Sequence, residues 1–142
     1  MEIVKYPTKS LLEKSIEVVI NDDLRDFANE MIGFMKTLKW GKVNGLAAPQ
    51  VGRNIRLFYA EGDWFVNPVV LWKPKEGVKP CHEGCFSLEE GKFDYQVDRA
   101  YAIKIKFQDL NGNNYEKRFN GFKAQVIQHE LDHLEGILCC GN

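Results

Sequence analysis

The sequence predicts an α+β fold: an N-terminal helix, a series of antiparallel strands, and a buried C-terminal helix that the strands pack around. Three observations carry this. Apolar residues recur at three- and four-residue spacing between Asp22 and Lys39. The period falls to two between Ile55 and Phe119. It returns to the helical value from Gly121 to about Leu138. A helix buries every third or fourth residue and a half-buried strand every second one, so the two periods separate the classes.

Each element has its own signals. In the first helix Leu24, Phe27, Ala28, Met31, Ile32, Met35 and Leu38 form the stripe, and Asn21 stands where an N-cap belongs. Gly41 and Gly45 then break the chain before the compact stretch Gly45–Gly52. Ile55, Leu57 and Tyr59 read as a strand. Trp64 to Trp72 reads as another, interrupted at Asn67-Pro68 by an edge or a bulge, because proline cannot donate to a ladder. Tyr101, Ile103, Ile105 and Phe107 alternate into Asp109–Asn113, whose Asn111-Gly112 pair favours a hairpin turn, and Tyr115 to Phe119 returns from it. No repeat or linker divides the 142 residues, which predicts one domain.

Composition narrows the function classes. Apolar residues make up 44% and charged residues 27%, the balance of a globular chain rather than a disordered one. Lys plus Arg number 19 against 20 for Asp plus Glu, so no basic footprint for direct nucleic-acid binding is expected. No apolar run approaches the ~20 residues of a membrane span, and the N-terminus lacks a basic region followed by an apolar one. An intracellular, cytoplasmic protein follows as the expectation. The four cysteines, Cys81, Cys85, Cys139 and Cys140, are then expected as thiols available to a metal or as nucleophiles.

The chemistry concentrates in the last helix. Two of the three histidines sit in His129-Glu-Leu-Asp-His133, and residues four apart on a helix can both reach one metal ion. Glu130 projects about 100° further round. On the wheel it falls within the arc of Phe122, Val126, Ile127, Leu131, Leu134, Ile137 and Leu138. A carboxylate on a buried face costs several kcal/mol unless a positive charge accompanies it, and a divalent ion supplies one. The bland alternative is a pair of ordinary histidines coincidentally spaced. Asp132 reads as solvated or as a support, and Glu135 points away from the imidazoles.

The third ligand must come from upstream or from Cys139 or Cys140 folding back. Cys85, in Glu83-Gly84-Cys85-Phe86-Ser87, is the stronger candidate, with His82 and Cys81 competing and a buried small hydrophobe as its bland alternative. Two imidazoles and one thiolate leave a tetrahedral position open, as catalytic sites do.

Three segments together resemble the peptide deformylases. Gly45-Leu-Ala-Ala-Pro-Gln50 looks like the family's glycine motif, Glu83–Ser87 its cysteine motif, and Gln128–His133 its histidine motif, in family order. Tyr6-Pro7, Asn67-Pro68 and Arg99 are weaker likenesses. The resemblance implies Cys85, His129 and His133 as metal ligands and Glu130 as general acid and base. It further implies an oxyanion site made by the Gln50 amide and the Phe86 backbone N–H, and substrate contacts at Gly45 and Asn44. Ferrous iron is the implied physiological metal, with Zn2+, Ni2+ and Co2+ compatible. The implied substrate is a formyl-methionyl peptide or nascent chain, cleaved by a monomer that could meet the ribosome in a bacterial or phage-infected cytoplasm.

The chain departs from the family pattern in places. Val43-Asn44 precedes Gly45 where a glycine–aliphatic pair is usual, Leu88-Glu89 replaces an aliphatic–proline pair, and Gln125 stands where arginine is common. No substrate-binding role is carried onto Lys92. The sequence stops soon after the histidine helix, as short, phage-encoded members do. Two other readings remain: a metalloprotease cutting internal bonds, and a non-enzymatic module with a closed metal site, which would need a fourth protein ligand such as His82 or Cys139.

Overall fold

The structure is a computed structural model and describes residues 1–38, 43–88 and 95–140. Lys39, Gly41, Glu89 and Lys92 lie outside the described residues. A short helix α1 (Lys9–Leu12) precedes α2 (Asp22–Met35), followed by β1 (Gly45–Ala47) and a 3-10 turn, Ala48–Val51. Then come β2 (Leu57–Ala60), β3 (Asp63–Trp72), β4 (Lys79–Glu83), β5 (Tyr95–Arg99), β6 (Ala102–Gln108), β7 (Asn114–Asn120) and α3 (Gly121–Leu134). Five strands form one sheet in the order β1-β2-β3-β6-β7, and β4 and β5 form a separate ribbon. Every paired strand is antiparallel.

The predicted N-cap is present: the Asn21 side chain accepts from the Leu24 N–H at 2.9 Å. α2 ends earlier than its apolar period, at Met35. There the Thr37 hydroxyl donates back to the Phe34 carbonyl at 2.7 Å, closing a turn instead of extending the ladder. α3 likewise stops at Leu134 rather than near Leu138, because Gly136 takes a left-handed φ of 76°. Ile137 and Leu138 therefore do not belong to the helix face on which the sequence reading placed them, and Ile137 is exposed.

Both faces of the sheet are covered where β1, β2 and the start of β3 lie, and one face further along. Ala47, Phe58, Phe65, Ile103, Ile105 and Phe107 pack against Ala124, Ile127, Leu131 and Leu134 of α3. Leu46, Leu57 and Val66 point the other way, against Leu24, Phe27, Met31 and Met35 of α2. The pleat thus divides neighbours such as Leu57 and Phe58 between two cores. A one-sided alternation at Ile55, Leu57 and Tyr59 is accordingly not what β2 shows: Phe58 and Ala60 are buried as well. Burying each large apolar side chain stabilises the fold by about 1.5–3 kcal/mol.

β3 runs through the predicted interruption as a bulge, with Asn67 at φ 50° and a register shift between Val66 and Val69. The Asn67 carboxamide pairs with the Val18 N–H and C=O, each at 2.9 Å, and so satisfies backbone groups of the segment joining α1 to α2. No described helix is long and apolar enough to cross a membrane.

Candidate metal centre

The sheet fixes α3, and α3 presents His129, Glu130 and His133 toward β1 and the loop after β4. Cys85 follows β4 directly. One donor atom each from Cys85, His129 and His133 lies within 4.8 Å of the other two, and the Cys85 Sγ is 3.4 Å from His133 Nε2. Among the described residues these three are brought together; His82, Cys81, Cys139 and Cys140 are not part of the cluster. Burial pushes the Cys139 thiol up to about 12, which disfavours the thiolate a ligand needs.

Polar neighbours orient the donors. His129 donates from Nδ1 to Glu83 Oε1 at 2.8 Å, leaving its Nε2 for the cluster. Arg99 grips Glu83 with two hydrogen bonds, Nε to Oε2 at 2.9 Å and Nη2 to Oε1 at 2.8 Å, and reaches Asp132 at 2.6 Å. Burial would raise the Glu83 pKa, but the hydrogen bonds from Arg99 and His129 outweigh it and hold the carboxyl at about 2. Burial works against a charged His129 too, yet its contacts with Cys85 and Glu83 carry its pKa well above the ordinary value. His133, buried near the charges of His129 and Arg99, is held well below it.

Glu130 is 3% exposed, and its Oε1 has no hydrogen-bond partner among the described residues. Desolvation pushes its carboxyl up to about 7, although His129 opposes the rise. The carboxylate fits because residue 45 is glycine: a Cβ there would lie 2.5 Å from Glu130 Oε2 and 2.9 Å from Val126 Cγ1. Gln50 is equally constrained. Its Oε1 accepts from the Ala47 N–H at 3.0 Å, which turns its amide nitrogen toward Cys85 Sγ at 3.3 Å and Ser87 Oγ at 3.4 Å.

An N-terminal strap holds the two loops in place: the Val4 N–H donates to Gln50 O at 2.8 Å and the Tyr6 N–H to Ser87 O at 2.9 Å. The Lys5 ammonium reaches the Phe86 carbonyl. Asn44, Gly45, Gln50, Phe86 and Glu130 all line one cavity of about 280 Å³ together with Cys85 and His129.

This donor set fits a divalent ion. A thiol and two imidazoles converge, one imidazole is backed by a carboxylate as metal-binding histidines commonly are, and a buried carboxylate beside them has one oxygen, Glu130 Oε1, without a hydrogen-bond partner among the described residues. A sequence model of the family described as polypeptide deformylase matches residues 1–142. The chain belongs to that family. It is 38% identical to a peptide deformylase of Borreliella burgdorferi, over 97% of this chain and 84% of the relative. The crystal structure of a peptide deformylase from Thermotoga maritima superposes with a TM-score of 0.87 at 32% identity, covering 96% of this chain and 92% of that one. A probable peptide deformylase from a Synechococcus phage gives a TM-score of 0.85 at 32% identity, covering 97% and 96%.

The sequence pointed to Cys85, His129 and His133, which the structure brings together, but not to what surrounds them. The strap and the Gln50–Ala47 contact act largely through backbone groups, which leave no side-chain signature. Asp132, read as solvated or supporting, is held by Arg99. Gln125 donates to Glu83 Oε2 at 3.1 Å, which only the spacing of α3 against β4 reveals.

Proposed function

We propose that the chain hydrolyses the N-formyl group from formyl-methionyl peptides and nascent proteins, releasing formate, and that it acts as a single-domain monomer. The observation that carries this reading is the buried Glu130 carboxylate, whose Oε1 has no hydrogen-bond partner among the described residues, next to three convergent metal donors in an open cavity. Cys85, His129 and His133 would hold the ion, with Glu83 fixing the His129 ring. When bound, a divalent ion supplies Lewis acidity, lowering the pKa of water and polarising the formyl oxygen. Ferrous iron is the cellular metal in this reading, and zinc, nickel and cobalt suit the same nitrogen and sulfur donors.

Glu130 takes the proton from the attacking water and passes it to the departing amine. Desolvation, which raises the Glu130 carboxyl above its ordinary range when no metal is bound, favours its taking up a proton. The amide nitrogen of Gln50 and the Phe86 backbone N–H stabilise the oxyanion as the formyl carbon becomes tetrahedral. Gly45 and Asn44 line the same cavity and meet the substrate backbone and its first side chain. A closed, non-catalytic site would need a fourth protein ligand, and among the described residues the cluster contains three. The family opposes the protease reading.

Formate release from formyl-Met-Ala-Ser tests the reading with iron-, nickel- and zinc-loaded protein. Release should require metal and fall by at least ~10²-fold in Glu130→Gln while the variant still binds metal. A folded, metal-loaded protein that releases no formate with any of the three ions overturns it.

A further inference from the structure

The cavity beside the metal donors does not end at them. Phe122, Gln125 and Val126 precede His129 by seven, four and three residues, so α3 sets them on the same side and the cavity runs along the helix toward its N-terminus. A formyl group placed at the donors leaves this extension to the side chain of the formylated residue. Its walls are of two kinds. Phe122 and Val126 offer carbon, while Asn44 and Gln125 offer carboxamides.

Those carboxamides retain hydrogen-bonding capacity. Gln125 commits one N–H to Glu83 Oε2, leaving its second N–H and its carbonyl. The Asn44 backbone is held by the Glu61 N–H, which donates to its carbonyl at 2.8 Å, but its side chain makes no hydrogen bond among the described residues. Glu83 already accepts from Arg99, His129 and Gln125. A thioether is a weak acceptor, so a methionine side chain displaces water from these amides without replacing its hydrogen bonds. A sulfoxide oxygen replaces them, and oxidation of methionine supplies that group on a side chain of nearly the same length.

We infer that the side-chain cavity, with Asn44 and Gln125 as its specificity-determining residues, accepts a chain tipped by a hydrogen-bond acceptor, and that formylmethionine sulfoxide peptides are substrates alongside formylmethionine ones. The inference rests on the deformylase reading and names a further substrate class for it.

The experiment measures kcat/KM for formate release from four peptides ending in Ala-Ser and beginning with formylmethionine, each of the two epimers of its sulfoxide, or formylnorleucine. Nickel-loaded wild-type protein is compared with Asn44→Leu and Gln125→Leu. At least one sulfoxide epimer should fall within tenfold of formylmethionine in the wild type. The sulfoxide-to-methionine ratio should drop at least tenfold in Asn44→Leu, while the norleucine-to-methionine ratio moves less than threefold. Gln125→Leu should shift the ratio in the same direction. Calorimetric binding of the deformylated peptides should show the same preference without turnover. Both epimers more than tenfold below formylmethionine in the wild type, or a ratio unmoved by both variants, overturns the inference and leaves the activity standing. No formate from any of the four peptides overturns the activity itself, and the inference with it.

Discussion

α3 meets the five-stranded sheet through carbon and the β4–β5 ribbon through charge. Against the sheet, Ala124, Ile127, Leu131 and Leu134 close on an aromatic group in which Phe65 stacks on Phe58 with centroids 4.8 Å apart and tilts against Phe107 at 4.6 Å. The ribbon has little such surface, and most of its residues are exposed or half-buried. Its contact with α3 runs through Glu83 and Arg99, which share one ribbon face near opposite ends of the pair and reach His129 and Asp132. Carbon contacts tolerate small shifts, whereas a bidentate ion pair has one geometry. The sheet therefore supplies stability, and the ribbon supplies the placement of Cys85 and of the His129 ring.

The largest effect should come from breaking each contact in turn. Arg99→Leu leaves Glu83 buried without its partner and should destabilise the fold by about 3–5 kcal/mol. Phe65→Ala, at a fully buried ring, should destabilise it by a similar ~3–5 kcal/mol. The two should part in metal titrations of the folded protein. Arg99→Leu should weaken affinity by about 10–100-fold, and Phe65→Ala should leave it within a few-fold. Equal affinities in both variants would break the division of labour.

A smaller effect tests where the helix meets β1. In Gly45→Ala the added Cβ would sit 2.5 Å from Glu130 Oε2, so either the carboxylate or the strand must shift. Displacing a reacting group by about 1 Å can lower rates ~10²-fold, and kcat should fall by that order with metal content unchanged. A variant of full activity would show that the carboxylate has room the close approach denies it.

The smallest effect lies far from both regions, in the β6–β7 turn. Asp109 accepts from the Asn113 side chain, from Tyr115 and from the Asn111 and Asn113 N–H groups, which hold its carboxyl at about 2 against an ordinary 3.8. A depressed carboxyl stabilises the native state fully above its unfolded pKa, and that contribution is lost as the pH falls toward the folded one. Acid unfolding of the wild type should steepen between about pH 4 and 2, and Asp109→Asn should flatten that limb without altering formate release at neutral pH.

The sequence by itself determined α2 and α3 (though not the single-turn α1), the strands about the Asn111-Gly112 turn, and the spacing of His129 with His133, because all depend on periods and caps within a few residues of one another. It also marked Glu130 as buried, since helical geometry alone places it among apolar neighbours. Tertiary structure decided the rest. The ribbon was not evident because β4 is largely exposed and β5 alternates over only five residues with two apolar side chains, Tyr95 and Val97. That α2 and α3 cover opposite faces of one sheet follows from β1, β2 and the Phe65–Val66 step of β3 being buried on both sides, which erases the period a one-sided strand would show. The convergence of Cys85 on His129 and His133 spans more than forty residues, and motif order suggests it without fixing it. It forms because Arg99, Glu83 and the N-terminal strap hold a loop that no local preference would hold. Such contacts exist only once distant backbone segments are adjacent, and no spacing along the chain encodes them.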